Sequence, residues 1–381
     1  MTSARRITKQ LKARLKEYPI VVLTGPRQSG KTTLLKSEFP DWRYINLETP
    51  ELKEFALQDP KGFLAEYDRY VILDEIQSLP NLFSYLQVLV DKTGEMGQFI
   101  LSGSQNLDLM ESVTQSLAGR VALLTLFPYD FQELKAADLW PDNLNRLITT
   151  GFYPAIYDRK ASPSIYHKNY LATYVRRDIT QLVNIQNLSQ FNKFLKLCAQ
   201  RAGQLLNYND LAKDTGISHS TARNWLSLLE TSYVIFQLSP YYKSYNKRLI
   251  KSPKIYFYDT GLLCHLLNIK PDQFNKTHKL FGHIFENLIV SEMYKRNAHN
   301  DGTEELYFWR DSHGHEVDLI KIDASMQVYE IKSSTTISSS NLSGLKRFES
   351  ISEENPQLEL IYGGTKSQKR NNIVISSWSD I

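Results

Sequence analysis

Between an apolar run, Ile20–Leu23, and a helical run, Thr33–Ser37, the chain reads Gly25-Pro26-Arg27-Gln28-Ser29-Gly30-Lys31-Thr32. This is the pattern GxxxxGK[ST] in the strand, loop and helix setting that it requires. The glycines let backbone N–H groups curl around a phosphate, and the start of the next helix adds a favourable dipole. In such a loop Lys31 reaches the β- and γ-phosphates and the Thr32 hydroxyl ligates Mg²⁺. The expected nucleotide contacts are Gly25, Pro26, Arg27, Gln28, Ser29, Gly30, Lys31, Thr32 and Thr33, with ATP and Mg²⁺ as cofactors. A loop of this kind commits the surrounding residues to a parallel α/β sheet.

The flanking sequence agrees. Short apolar runs at Tyr44–Leu47, Tyr70–Leu73, Phe99–Leu101 and Val121–Phe127 alternate with helical patterns, one of them near Leu82–Val90. That alternation predicts parallel strands joined by helices. Val71-Ile72-Leu73-Asp74-Glu75 is a buried strand closed by two carboxylates, a Walker B pattern. Asp74 is expected to hold the metal and Glu75 to orient or polarise the attacking water, so the pair points to hydrolysis beyond binding. Phe99–Leu101 runs into Ser102-Gly103-Ser104-Gln105, which puts Ser104 beside the γ-phosphate as a sensor or leaves it as an ordinary turn residue.

A chain of 381 residues exceeds one small core and suggests two or three domains. Hydrophobic residues at 42% and charged residues at 23% leave no room for a long disordered tract. A formal charge of +4 means that any nucleic-acid contact must come from local clusters of Lys and Arg. Cys198 and Cys264 lack disulfide or zinc spacing, and no stretch is long and apolar enough to span a membrane, so a reducing, cytoplasmic location is expected. Residues Ile7 to Glu17 carry apolar residues at helical spacing between basic ones and are predicted to form a surface helix.

Beyond Gly151 the pattern becomes helical. Leu205–Ala212, then Gly216, then Thr221–Leu229 follow helix-turn-helix grammar. Leu211, Ala212, Ile217, Ala222, Trp225, Leu226 and Leu229 would pack the pair, leaving His219, Ser220, Arg223, Asn224 and Ser227 outward to meet base edges. Downstream, Lys243, Lys247, Arg248, Lys251 and Lys254 with Tyr241, Tyr242 and Tyr245 suit a basic wing over phosphates. Such modules also serve purely as packing domains. Near the C-terminus, Glu286 on a helix, Asp318 closing Glu316-Val317-Asp318, and Glu330-Ile331-Lys332 have the order of a PD-(D/E)xK nuclease fold, which they resemble. Glu330 and Lys332 share one strand face, Asp318 and Glu330 would share Mg²⁺, Glu286 would add a third carboxylate, and Lys332 would act on water or phosphate.

The whole set resembles the AAA_14/DUF4143 group of bacterial and archaeal AAA-type ATPases. The resemblance rests on Thr24–Thr32, Leu73-Asp74-Glu75-Ile76-Gln77, Leu101-Ser102-Gly103-Ser104, Leu117-Ala118-Gly119-Arg120, Gly151-Phe152-Tyr153-Pro154 and Tyr256-Phe257-Tyr258-Asp259-Thr260-Gly261-Leu262. It implies an α/β fold in three parts: an AAA-type P-loop domain at 1–155, a helical and winged-helix domain at 156–272, and a restriction-endonuclease-like domain at 273–381. Arg120 becomes a candidate arginine finger acting within its own subunit or across to a neighbour, with Arg176 and Arg177 as rivals. ATP, DNA or RNA, and a second copy of the chain are the partners implied. Two functions follow: ATP hydrolysis coupled to nucleic-acid binding or processing, or an ATP-switched assembly protein whose C-terminal domain is a non-catalytic scaffold.

Overall fold

The computed structural model describes residues 4–103, 116–178, 187–242, 252–311 and 313–381, the side chains of 175–178 excepted. Ser104, the side chains of Arg176 and Arg177, and Lys243, Tyr245, Lys247, Arg248 and Lys251 lie outside the described residues.

Five strands, β1 (Ile20–Thr24), β2 (Arg43–Asn46), β3 (Val71–Asp74), β4 (Phe99–Ser102) and β5 (Val121–Thr125), form a sheet in the order β2-β3-β4-β1-β5. Every pair is parallel. Alternate residues feed two cores, because side chains alternate across a strand. Ile20, Val22, Val71, Leu73, Phe99 and Leu101 pack on one face against Phe63, Phe83 and Leu86. Val21, Leu23, Ile72 and Ile100 pack on the other against Ile7, Leu11 and Leu15 of the N-terminal helical segment. Burial on both faces explains why these strands read as continuous apolar runs. Two short helices, Pro50–Gln58 and Pro60–Glu66, interrupt the expected alternation. Each starts with a proline in its first turn, where the missing N–H costs nothing, and Asp59 caps the second through Gly62 N at 2.9 Å.

The middle of the chain is helical. Helices Tyr208–Thr215 and His219–Thr231 are joined through Gly216, whose φ of 83° lies in the left-handed region. Trp225 packs edge-on against Phe191 and Phe194 of the helix Leu188–Gln200, with ring centroids 5.3 Å apart in both cases. His219, Ser220, Arg223, Asn224 and Ser227 face outward.

The second sheet has eight strands: β6 (Ile235–Pro240), β7 (Lys254–Phe257), β8 (Glu305–Arg310), β9 (Glu316–Ile322), β10 (Met326–Lys332), β11 (Gln357–Tyr362), β12 (Gln368–Arg370) and β13 (Ile373–Ser377). Their order is β12-β13-β11-β10-β9-β8-β6-β7. A parallel contact of β6 with β8, at Ser239–Tyr307 and Pro240–Phe308, carries the middle-region hairpin into the C-terminal sheet. The helix Phe281–His299 is buried on most of its circumference, which explains its lack of an amphipathic stripe. Its far end meets the first unit: Glu292 Oε1 accepts from Phe131 N at 3.1 Å, and Lys295 Nζ donates to the Tyr129 carbonyl at 2.9 Å.

The C-terminus returns to the same region. Trp378 stacks on Trp140 at 5.6 Å and meets Phe131 edge-on at 6.3 Å. Trp378→Ala removes this contact and is expected to cost about 3–5 kcal/mol. Thermal unfolding checks it: a clear drop in midpoint is predicted, and an unchanged midpoint would show that the two units are held elsewhere.

Candidate functional site

β1 ends at Thr24, and Gly25 turns the chain at φ 138°, where an added Cβ would lie 2.2 Å from the Leu126 carbonyl oxygen. No side chain fits there. Gln28 and Gly30 also take positive φ, 62° and 97°, the left-handed geometry on which anion-binding backbone loops draw. Lys31 opens the helix Lys31–Glu38 and is buried, its Nζ donating to the Gly25 and Pro26 carbonyls at 2.8 and 3.0 Å. Burial pushes its ammonium down to about 8, against the pull of Glu75 and Asp74. Pro26 and Ser29 are buried, Arg27 is half-buried beside the Tyr174 ring at 5.7 Å, and Gln28 and Thr33 are exposed.

The carboxylate of Asp74, 3% exposed, collects the edge of the sheet. Parallel register sets Asn46, Asp74 and Ser102 side by side. Thr32 Oγ1 donates to Asp74 Oδ2 at 2.8 Å, and the Tyr44 hydroxyl donates to the same oxygen. Ser102 Oγ and Glu75 N donate to Oδ1 at 2.5 and 3.1 Å. Burial and then the Asp74 bond drive the Tyr44 hydroxyl far above its ordinary range, so it stays a donor. Thr32 and Asp74 offer the hard oxygen donors that Mg²⁺ prefers. Glu75 follows at φ 57°, a left-handed conformation uncommon for a residue with a side chain, and Gln77 Nε2 holds its carboxylate. Tyr44 and Ser102 were not anticipated as partners; the signal for Ser102 was its position at the C-terminal end of β4, while Tyr44, second in β2, carried none.

Arg5, just ahead of the N-terminal helix, is 6% exposed. Its Nη1 donates to the Ser29 carbonyl at 2.8 Å, its Nη2 to the Phe127 carbonyl at 2.6 Å, and its Nε pairs with Glu133 at 3.0 Å. It thereby ties the phosphate loop to the end of β5 and to a buried ionic group. Arg120 lies at the opposite edge of the sheet, where its carbonyl accepts from Ile20 N at the start of β1. The length of β1, about 3.3 Å per residue, separates it from the loop of its own chain. Its guanidinium forms two bonds to Asp91, at 2.5 and 2.9 Å. Among the described residues, no contact within one chain brings Arg120 to Lys31.

Where the helix Phe281–His299 meets β9, Glu286, Glu316 and Asp318 present oxygens all within 4.8 Å of one another. Asp318 Oδ2 accepts from Ile331 N at 2.8 Å, and Lys332 Nζ lies 2.5 Å from Glu330 and 3.6 Å from Asp318. Glu286, Asp318, Glu330 and Lys332 thus share one neighbourhood, to which the structure adds Glu316 and Lys254. Lys254 was expected in a basic wing over phosphates; it is instead buried at the start of β7, 2.8 Å from Glu286 Oε1 and in contact with Glu316. Burial, followed by Asp318, raises the Glu330 carboxyl to about 8, and burial raises Glu286 to about 7.

Three family models match successive stretches of the chain. Residues 17–135 match the AAA_14 model, an AAA domain; 141–273 match a domain of unknown function, DUF8612; and 281–380 match another, DUF4143. The chain belongs to the AAA_14/DUF4143 family of AAA-type P-loop ATPases. Uncharacterized proteins Rv2008c of Mycobacterium tuberculosis and Mb2031c of Mycobacterium bovis are each 30% identical over 361 residues, 93% of this chain and 79% of theirs. Uncharacterized protein MJ1637 of Methanocaldococcus jannaschii is 24% identical over 72% of this chain and 67% of its own. Among solved structures, the Walker-type ATPase PABY2304 of Pyrococcus abyssi aligns at 16% identity and a TM-score of 0.43, covering 69% of this chain and 95% of that one. As a member of this family the chain binds ATP and hydrolyses it.

Two outcomes test the loop. Lys31→Ala is expected to abolish ATP binding, measured by calorimetry, because the buried ammonium supplies the only loop side-chain cation that the motif aims at the β- and γ-phosphates. In the unmodified protein the affinity for ATP should fall by up to about tenfold per pH unit above the Lys31 value of about 8, since the free lysine must then take up a proton to meet the phosphates. A flat affinity between pH 7 and 9.5 would show that Lys31 does not face phosphate.

Proposed function

We propose that the chain couples Mg²⁺-dependent ATP hydrolysis to nucleic-acid binding, with DNA as the ligand. The observation that carries this reading is the 2.8 Å bond between the Thr32 hydroxyl and Asp74, one residue before Glu75. Thr32 and Asp74 would hold Mg²⁺, which when bound neutralises charge on the nucleotide phosphates. Lys31 leaves the loop carbonyls for the β- and γ-phosphates. Glu75, at the left-handed position just after β3, accepts the proton of the attacking water. Ser104, two residues beyond the last residue of β4 in sequence, is assigned to the γ-phosphate by sequence position alone.

The position of Arg120 on the far edge of the sheet supports action in trans. In a homo-oligomer its guanidinium, released from Asp91, would meet the γ-phosphate of the adjacent subunit and stabilise charge developing during transfer. The nucleic-acid part is supported by the outward face of His219–Thr231, where Arg223 lies over the Tyr208 ring at 5.7 Å beside exposed His219, Ser220 and Asn224. A second reading, an ATP-switched assembly protein with a scaffold at its C-terminus, is favoured by the position of Lys254 among the C-terminal carboxylates.

ATP turnover with and without duplex DNA separates the two. The first predicts stimulation of severalfold that Arg223→Glu removes while basal turnover remains; no stimulation by duplex, single-stranded DNA or RNA would leave the second. Arg120→Ala is expected to slow turnover by a factor on the order of 10³ with ATP affinity intact. Mixing it with Lys31→Ala subunits should restore part of the rate, because each mixed interface can pair an intact loop with an intact arginine. Absence of rescue at every mixing ratio would contradict action in trans.

A further inference from the structure

The C-terminal carboxylates already contain a cation. Lys254 is 2% exposed, and its Nζ lies 2.8 Å from Glu286 Oε1, 3.7 Å from Asp318 Oδ1, and in contact with Glu316 Oε1. These are the three carboxylates whose oxygens lie within 4.8 Å of one another. Oxygens that close are spaced to ligate one ion, since a hard cation takes each at about 2.0–2.6 Å. We propose that the Lys254 ammonium is the resident cation of this centre, standing where a divalent metal would bind, so that Glu286, Glu316 and Asp318 form a latent metal site closed while Lys254 is seated.

Three features hold the lysine there. Its backbone is fixed in β7 opposite Leu238 and forms a bridge to Leu205, so the stem enters from the sheet. The ammonium lies 5.6 Å from the Phe308 ring centroid, and the Tyr256 hydroxyl, two residues on, donates to the same Glu286 oxygen at 2.7 Å. Three carboxylates face the ammonium, and opposite charges at such distances favour its charged form. A dication cannot share the pocket, because charges of one sign a few ångströms apart with little water between them repel strongly. Lys332 spans Asp318 and Glu330 in the same way, while the buried Glu330 Oε2 has no hydrogen-bond partner among the described residues. The arrangement joins β7 to the helix Phe281–His299 and to β9 by ion pairs, and it removes the metal on which cleavage of a phosphodiester by this centre would depend.

Mn²⁺ binding to the full chain, measured without nucleotide by the electron paramagnetic resonance of free Mn²⁺, tests this directly. An Asp74→Asn background silences the carboxylate at the phosphate loop. In that background the otherwise unmodified protein and its Lys254→Arg form are expected to bind no Mn²⁺ below millimolar concentration, whereas Lys254→Met gains one site at least 100-fold tighter that a further Asp318→Asn removes. If Lys254→Met is unstable, Mn²⁺ should raise its melting temperature and leave that of Lys254→Arg unchanged. The proposal is overturned if the protein with Lys254 intact binds Mn²⁺ tightly at a site lost on Asp318→Asn. It is equally overturned if Lys254→Met neither binds Mn²⁺ nor is stabilised by it.

Discussion

One buried carboxylate, Asp74, fixes the geometry of the nucleotide edge. A carboxylate removed from water is costly unless its oxygens are fully bonded. Here four donors from four segments converge on it: Thr32 from the loop helix, Tyr44 from β2, Ser102 from β4 and the N–H of Glu75. Parallel pairing sets Asp74 level with Ser102 of β4 and with Asn46 of β2, two residues beyond Tyr44, so that both hydroxyls reach the same side chain. The loop helix is thus drawn to the strand that also bears Glu75. Phosphate capture and water activation are two consequences of one hydrogen-bonded centre.

A second ionic group joins that edge to the rest of the chain. Arg5 holds the Ser29 and Phe127 carbonyls and pairs with Glu133; Glu133 and Asp130 cap one another in a capping box, and Asp130 meets His299 at 3.1 Å. Burial would raise the Asp130 carboxyl, but His299, the Glu133 N–H and Arg6 hold it well below the usual carboxylate range. His299 ends the same helix that carries Glu286 near its start. One helix therefore touches both the surroundings of the phosphate loop and the C-terminal carboxylates. At 1.5 Å per residue the thirteen steps from Glu286 to His299 span about 20 Å, and Asn287, Glu292 and Lys295 anchor the helix along the way.

The phosphate loop and Asp74-Glu75 were legible in the sequence because each is local: neighbouring residues carry both the strand signal and the chemistry. The helix-turn-helix elements were legible for the same reason, through the spacing of Leu211, Ile217, Trp225 and Leu229 around Gly216. Arg5, Tyr44 and Lys254 were not. Each is polar, and its role depends on a partner between 24 and 128 residues away, such as Ser29, Asp74, Phe127 or Glu133. Lys254 was grouped with the basic residues before it, although the apolar run Ile255–Phe257 beside it was the sign of a buried strand. Arg120 was recognised by its neighbours Leu117-Ala118-Gly119, but the edge of the sheet on which it lies follows from the direction of β5, which local sequence does not encode. Strands β11 and β13 went unread although Leu358, Leu360, Ile373 and Ile375 recur at the period of two that a strand requires.

The account rests on the division of labour at the end of β3, where Asp74 organises and Glu75 activates water. Single-turnover hydrolysis of ATP by Glu75→Gln, with nucleotide affinity measured on the same preparation, tests it most directly. The substitution preserves shape and removes the base, so the predicted result is an affinity within about threefold of the unmodified protein and hydrolysis slowed by at least about 100-fold. Hydrolysis at close to the unmodified rate would contradict the assignment and move the water-activating group elsewhere in the molecule.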